Sequence, residues 1–216
     1  MSLAKLSHSV ARMAANVMDL SEDQAAIVAY GLEVALSFVF GAIVIFIFAM
    51  AVDALLPTAG VVIVAVCIRS LTGGAHCTSP FRCNLAAGFV FPLLGLGAKF
   101  LIKISPFPAW WVLLAGAVYV LGTSWFYAPA EVPQKPIGVA QRKYLRKLTL
   151  AFLFTWLLLI WWLLSEPHYV DWVWPVFIGG VWQVSTLLPL TKKAFYILDQ
   201  AMLLGEKVLS GRREEG

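Results

Sequence analysis

The sequence predicts an all-α polytopic membrane protein: about six transmembrane helices, an N-terminal interfacial amphipathic helix, and both termini in the cytoplasm. Three observations carry that prediction. Of 216 residues, 61% are hydrophobic and only 13% charged, far from the balance of a water-soluble domain. Six apolar runs each approach the roughly 17 to 25 helical residues that cross a hydrocarbon core. Fourteen of the sixteen lysines and arginines fall in alternate connections, as expected when positive charge is retained on the cytoplasmic side.

Within residues 1–20, Leu3, Leu6, Val10, Met13, Val17 and Leu20 repeat at intervals of three and four. That places them on one helical face opposite Lys5, Ser9, Arg12 and Asn16, the pattern of a helix lying in the interface. No small-residue cleavage pattern follows the first apolar run, so no cleavable signal peptide is expected. Ser21 with Gln24 three residues later forms a capping box for span 1, at 26–50. Glu33 within it is costly in lipid and should face protein or water. Span 2, at 54–71, is interrupted by Pro57 and Gly60, and its most apolar part, Ala59 to Ile68, is short enough to be re-entrant. Five or six spans are therefore expected, and an even number agrees with both termini lying on one side. Spans 3 to 6 follow at 85–103, 108–126, 148–165 and 172–190. Residues 191–216 are left as a cytoplasmic tail of a single membrane-embedded domain, 1–216.

The cytoplasmic connections hold Lys5 and Arg12; Arg69 and Arg82; Lys135, Arg142, Lys143, Arg146 and Lys147; and Lys192, Lys193, Lys207, Arg212 and Arg213. Lys99 and Lys103 fall on the other side, where long stems snorkel to headgroups. Trp110 with Trp111, Trp125 with Tyr127, Trp161 with Trp162, and Trp172 with Trp174 read as interfacial anchors. The net charge of +4 is accounted for by topology and contact with anionic membrane lipid. Nothing points to nucleic acid, and no repeated block of spans suggests a secondary transporter.

Reactive residues concentrate between spans 2 and 3, in RSLTGGAHCTSPFRC, Arg69 to Cys83. A metal site would need more ligands than His76, Cys77 and Cys83 provide, with His8 and His168 elsewhere. A Cys77–Cys83 disulfide conflicts with a reducing cytoplasm. A Cys-His pair is the third reading, in which imidazole takes the proton of an attacking thiol and later protonates a leaving amine. His76 and Cys83 would stand about 10 Å apart along a continuous helix, but Pro80 stops such a helix and a turn at Thr78-Ser79-Pro80 can fold Cys83 back. Cys77, next to His76, points elsewhere on a helix or a strand and is the poorer nucleophile. Cys67 reads as a small buried hydrophobe. Arg69 and Arg82 are placed to favour a thiolate or bind a carboxylate, or simply to fix topology. Spacing alone leaves a structural pair as the default.

The order Arg69, Gly73-Gly74, Ala75-His76 and Cys83 resembles the active-site motif of the accessory gene regulator B family, membrane-embedded cysteine peptidases of peptide quorum sensing. YAPAEVPQKPI, Tyr127 to Ile137, resembles the aromatic-Ala-Pro and Lys-Pro loop of that family, and the resemblance covers about residues 10 to 190. It implies Cys83 as nucleophile, His76 as general base and acid, Gly73 and Gly74 as loop-shaping residues and Arg69 as a motif arginine. Asn84, Ser79 and Gln183 remain open as a third member. It further implies no cofactor, a possible homodimer, and a short precursor peptide with an amphipathic leader and an acidic C-terminal tail, cleaved at the cytoplasmic face and released as a cyclic thiolactone or lactone. Lys135, Arg142, Lys143, Arg146 and Lys147 are candidates to bind that acidic tail. The competing reading is a small transporter or a non-catalytic membrane partner with a structural or redox-sensing loop, against which the near absence of polar residues in the spans counts.

Overall fold

The computed structural model describes residues 21–130 and 138–214, and every regular element among them is helical. The expected amphipathic helix at 1–20 and Lys135 lie outside the described residues. The elements are α1 (Glu22–Ala51), α2 (Leu55–Thr72), α3 (Pro80–Ile104), α4 (Trp110–Tyr127), α5 (Val139–Ser165), a 3-10 segment (Pro167–Trp172), α6 (Val173–Ser185) and α7 (Pro189–Glu214). Five of these are long and apolar enough to cross a membrane, or six when the bent pair at the C-terminal end counts as one span.

Helix α1 starts at the capping box the sequence predicts: the Ser21 hydroxyl accepts the Gln24 N–H at 3.4 Å, and the Gln24 side chain accepts the Ser21 N–H at 3.0 Å. Its Phe40 stacks on Phe81 of α3, and its Phe48 ring lies tilted against Phe89. Helix α2 is continuous over eighteen residues. Pro57 does not break it because it lies in the first turn, where no intrahelical N–H is required.

The re-entrant character lies at the sixth span instead. The expected run 172–190 stops at Ser185, and the next helix leaves at 84°. Pro189 is the cause: it has no N–H to give the Ser185 carbonyl, and its ring would clash there. That carbonyl accepts the Leu188 N–H at 3.2 Å. The thirteen residues of α6 rise only about 20 Å, and the 3-10 segment directly precedes them. Residues read as a tail from 191 continue α7 as regular helix.

Helix α6 is the centre of the bundle, packed by α2, α3, α4 and α5, with Val173, Val176, Phe177 and Val184 buried. Indole N–H groups at this depth find carbonyls: Trp156 donates to Val176 O at 3.0 Å and Trp174 to Ser105 O at 2.7 Å. Trp174 is therefore a buried strut rather than the headgroup anchor expected, whereas Trp110, Trp111 and Trp161 are exposed. Lys99 does not snorkel alone, since it pairs with the Asp53 carboxylate at 2.6 Å across the α1–α2 turn.

Gly179 lets α6 approach α2 closely: a Cβ there would stand 2.7 Å from the Val61 carbonyl oxygen and 3.2 Å from Val61 Cα. Backbone cannot yield as a side chain does. Gly179→Ala is expected to cost about 1–3 kcal/mol, read as earlier thermal unfolding in detergent, whereas Gly122→Ala, with open space around it, should leave the transition unchanged. Equal transitions would show that α2 and α6 are not in tight contact.

Candidate active site

The connection between α2 and α3 is an irregular segment, residues 73–79. Its backbone groups need partners that neither helix supplies, and each neighbour contributes one. Gly73 N–H bonds Arg69 O at 2.9 Å, and Arg69 Nη2 donates to Ala75 O at 2.8 Å. The end of α6 supplies the Thr186 carbonyl for Ala75 N–H at 3.1 Å and the Gln183 side chain for Gly73 O at 2.8 Å. From the segment after α4, Ala130 N–H reaches Thr72 O at 2.8 Å.

Gly73 and Gly74 have φ of +69° and +152°, a region that favours glycine. A Cβ on Gly74 would collide with Thr186 Oγ1 and stand 3.0 Å from Arg69 Nη1. The glycine pair, Arg69 and Gln183 thus form one unit that shapes the loop. Gln183 is 2% exposed, and its amide nitrogen donates to Gly73 O and to Thr186 Oγ1, so it holds Gly73.

Pro80 opens α3 at its first position, and Cys83 follows in the first turn with its N–H on Ser79 O at 3.0 Å. No side chain caps this N-terminus, so its leading N–H groups remain available to an acceptor. Cys83 is half-buried and lines an apolar cavity of about 360 Å³ between α1, α2, α3 and the end of α6, together with Arg69, Asn84 and Gln183. Asn84 is turned to α1, donating to Ser37 O at 2.8 Å and to its hydroxyl at 2.9 Å.

Cys77 lies near enough to Cys83 for the two thiols to interact electrostatically. Cys77 comes near Cys83 because residues 73–79 follow neither helical nor strand geometry. Desolvation, then Cys83, then the Asp199 carboxylate push the Cys77 thiol up to about 11, so it stays protonated near neutral pH. Among the described residues no hydrogen bond joins His76 to Cys83. His76 is exposed at the loop, and its imidazole is held below its ordinary range by desolvation and then by the positive charges of Arg69 and Lys192. Cys67, expected to be buried, lies exposed on the outer face of α2.

Arg82 is buried and is not placed to receive a substrate carboxylate. Its guanidinium is held by Asp199 at 2.7 Å, Glu206 at 3.0 Å and the Thr78 hydroxyl at 2.7 Å. Asp199 and Glu206 are the site-adjacent residues that sequence reading missed. Their spacing of seven puts both on one face of α7, a signal hidden by treating 191–216 as a tail. Of the basic residues in the first turns of α5, Arg146 lies over the Trp125 ring at 5.2 Å and donates to the Trp125 carbonyl, while Lys143 and Lys147 are exposed. No group of three His, Cys, Asp or Glu side chains placed to hold a metal is found among the described residues.

A helical bundle of five or six spans with a cysteine at an uncapped helix start, beside a glycine-shaped histidine loop, defines a membrane protein with a candidate thiol site. The accessory gene regulator B family pattern matches residues 7–187, and the chain belongs to that family, known for its part in processing autoinducer peptides. No curated protein and no solved structure matches the chain at a significant level.

His76 lies outside the spans, so its titration is directly observable. With its pKa depressed, the imidazole is neutral over more of the range below pH 6.5 than an unperturbed one. The NMR midpoint of the His76 ring in detergent is expected below 6.5, moving upward in Lys192→Gln as one repelling charge is removed. A midpoint at or above 6.5, unmoved by that substitution, would contradict the described surroundings.

Proposed function

We propose that the protein is a membrane cysteine endopeptidase that cleaves a short precursor peptide at the cytoplasmic face and releases a cyclic quorum-sensing peptide. The observation that carries this reading is the position of Cys83: the thiol lines the apolar cavity from the uncapped first turn of α3. The family's connection with autoinducer processing and the matching motif residues support it, and the excess of positive charge at this end supports a cytoplasmic location.

In this mechanism His76 takes the Cys83 thiol proton and the sulfur attacks the scissile carbonyl. The oxyanion is stabilised by the free N–H groups of Phe81 and Arg82 at the α3 start. The C–N bond then breaks, His76 protonates the leaving amine, and the N-terminal portion remains as a thioester on Cys83. An internal thiol or hydroxyl of the peptide attacks that thioester and gives its proton to His76; Cys83 departs and recovers a proton as the ring is released. His76 must approach Cys83 for the first step, and contacts of this kind often tighten only with substrate bound. The acidic tail of the precursor is bound by Lys143 and Lys147 of α5 with Arg142, and by Lys135. Arg146 contributes mainly by holding Trp125.

In proteoliposomes with a cognate precursor, Cys83→Ala should abolish cleavage and the acyl adduct seen by mass spectrometry. His76→Ala should slow cleavage about 10²- to 10⁴-fold, and Cys77→Ala should retain it. Cleavage by Cys83→Ala would end this assignment. Lys143→Glu with Lys147→Glu should raise KM severalfold with kcat kept; an unchanged KM would remove the tail-binding role.

The cavity beside Cys83 holds the apolar side chain of the residue whose carbonyl is acylated. Ala42 lines it from α1, so Ala42→Phe should reduce kcat/KM for a precursor with a bulky residue there by about tenfold or more. Cleavage of one with alanine there should be spared. Equal effects on both precursors would place the acyl side chain elsewhere.

A further inference from the structure

The cysteine loop is braced by a helix outside the family-matched region. The match ends at residue 187, and α7 begins at Pro189. Asp199 on α7 is 1% exposed, and both its carboxylate oxygens are in use. One accepts Arg82 Nε at 2.7 Å; the other accepts the Thr78 N–H at 3.2 Å and the Thr78 hydroxyl at 2.6 Å. Arg82 Nη2 closes the ring on Thr78 Oγ1 at 2.7 Å. Thr78 directly follows Cys77, and Arg82 directly precedes Cys83. The ring therefore ties together the two backbone positions flanking the facing thiols.

We infer that Asp199 is a positioning residue for the proposed peptidase, holding Thr78 and Arg82 so that Cys83 faces the cavity and Cys77 stays beside it. The inference rests on the peptidase reading for its consequence in turnover, although its effect on the two thiols does not. Electrostatics agrees with the geometry. The charged groups of the ring are Arg82, Asp199 and Glu206, one cation against two carboxylates, and a nearby carboxylate disfavours ionisation of a thiol. After desolvation and Cys83, Asp199 is among the groups that keep the Cys77 proton in place, with Arg82 acting in the opposite direction. The brace thereby separates two adjacent thiols that would otherwise compete as nucleophile. An Asp199 that served only to dock α7 would affect stability without altering which thiol reacts.

The experiment uses the full chain in detergent, with Cys67→Ser in every sample so that two thiols remain. Iodoacetamide labelling at Cys77 and Cys83 is followed by mass spectrometry from pH 7 to 9, alongside kcat and KM for precursor cleavage. Asp199→Asn should raise the Cys77-to-Cys83 labelling ratio by about tenfold, the effect of one pKa unit, and lower kcat about tenfold with KM little changed. Asp199→Glu should restore part of both. A wild-type ratio or a wild-type kcat in folded Asp199→Asn overturns the proposal. If Asp199→Asn does not fold, Thr78→Val, which leaves the Arg82–Asp199 pair in place, decides the matter: a raised ratio with reduced kcat supports the brace, and either value at wild type overturns it. Wild-type protein that cleaves no precursor would remove the peptidase reading, while the labelling ratio would still decide the effect of Asp199 on the two thiols.

Discussion

The hydrogen bond from Ala75 N–H to the Thr186 carbonyl exists because α6 stops at Ser185, and the geometry of the reactive loop depends on that stop. A helix carried on through Thr186 would bury this carbonyl in its own ladder. Pro189 prevents it, and the resulting turn presents a carbonyl, the Thr186 hydroxyl and the Gln183 amide to residues 73–75. Irregular backbone close to a hydrocarbon layer is tolerated only where protein satisfies its polar groups. Here the end of α6 does so, assisted by Arg69. Gly74 is required for the same reason, since a side chain would occupy the space taken by Thr186 Oγ1.

Most of the fold was legible because the bilayer imposes a single strong rule, a long apolar helix, and five helices obey it. The sixth span broke the reading for a local reason. Hydropathy remains high across 172–190, while Pro189 removes a hydrogen bond without changing hydropathy. Pro57 posed the opposite problem: a proline inside an apolar window suggested an interruption, yet its place in the first turn of α2 makes it harmless. Position relative to the helix start decides what proline does, and a hydropathy window does not contain that position.

The site was legible as a set of residues and less so as an arrangement. Arg69, Gly73, Gly74 and Ala75 meet around the α6 end, although only their chemistry was visible in sequence. Gln183, 110 residues from its bond partner Gly73, could be named as a candidate but given no task. Asp199 lies 117 residues from Arg82, and no local pattern links them. The approach of Cys77 to Cys83 was not legible because strand and helix rules say nothing about a segment whose conformation is set by three other elements.

Those ties fall unevenly along the loop, and the unevenness bears on chemistry. Gly73 and Ala75 are fixed on one side of His76 and Thr78 on the other. His76 between them has no hydrogen-bond partner among the described residues. A group that carries a proton from sulfur to a departing amine needs two positions, and a firmly bonded imidazole would have to break a bond to reach either. In the peptidase reading the loop backbone is therefore held on both sides while its proton carrier keeps rotational freedom. Cys83 contrasts with it, anchored in a helix beside the cavity. Substrate entering that cavity would supply the contact that brings the imidazole to the sulfur, coupling proton removal to occupancy of the site.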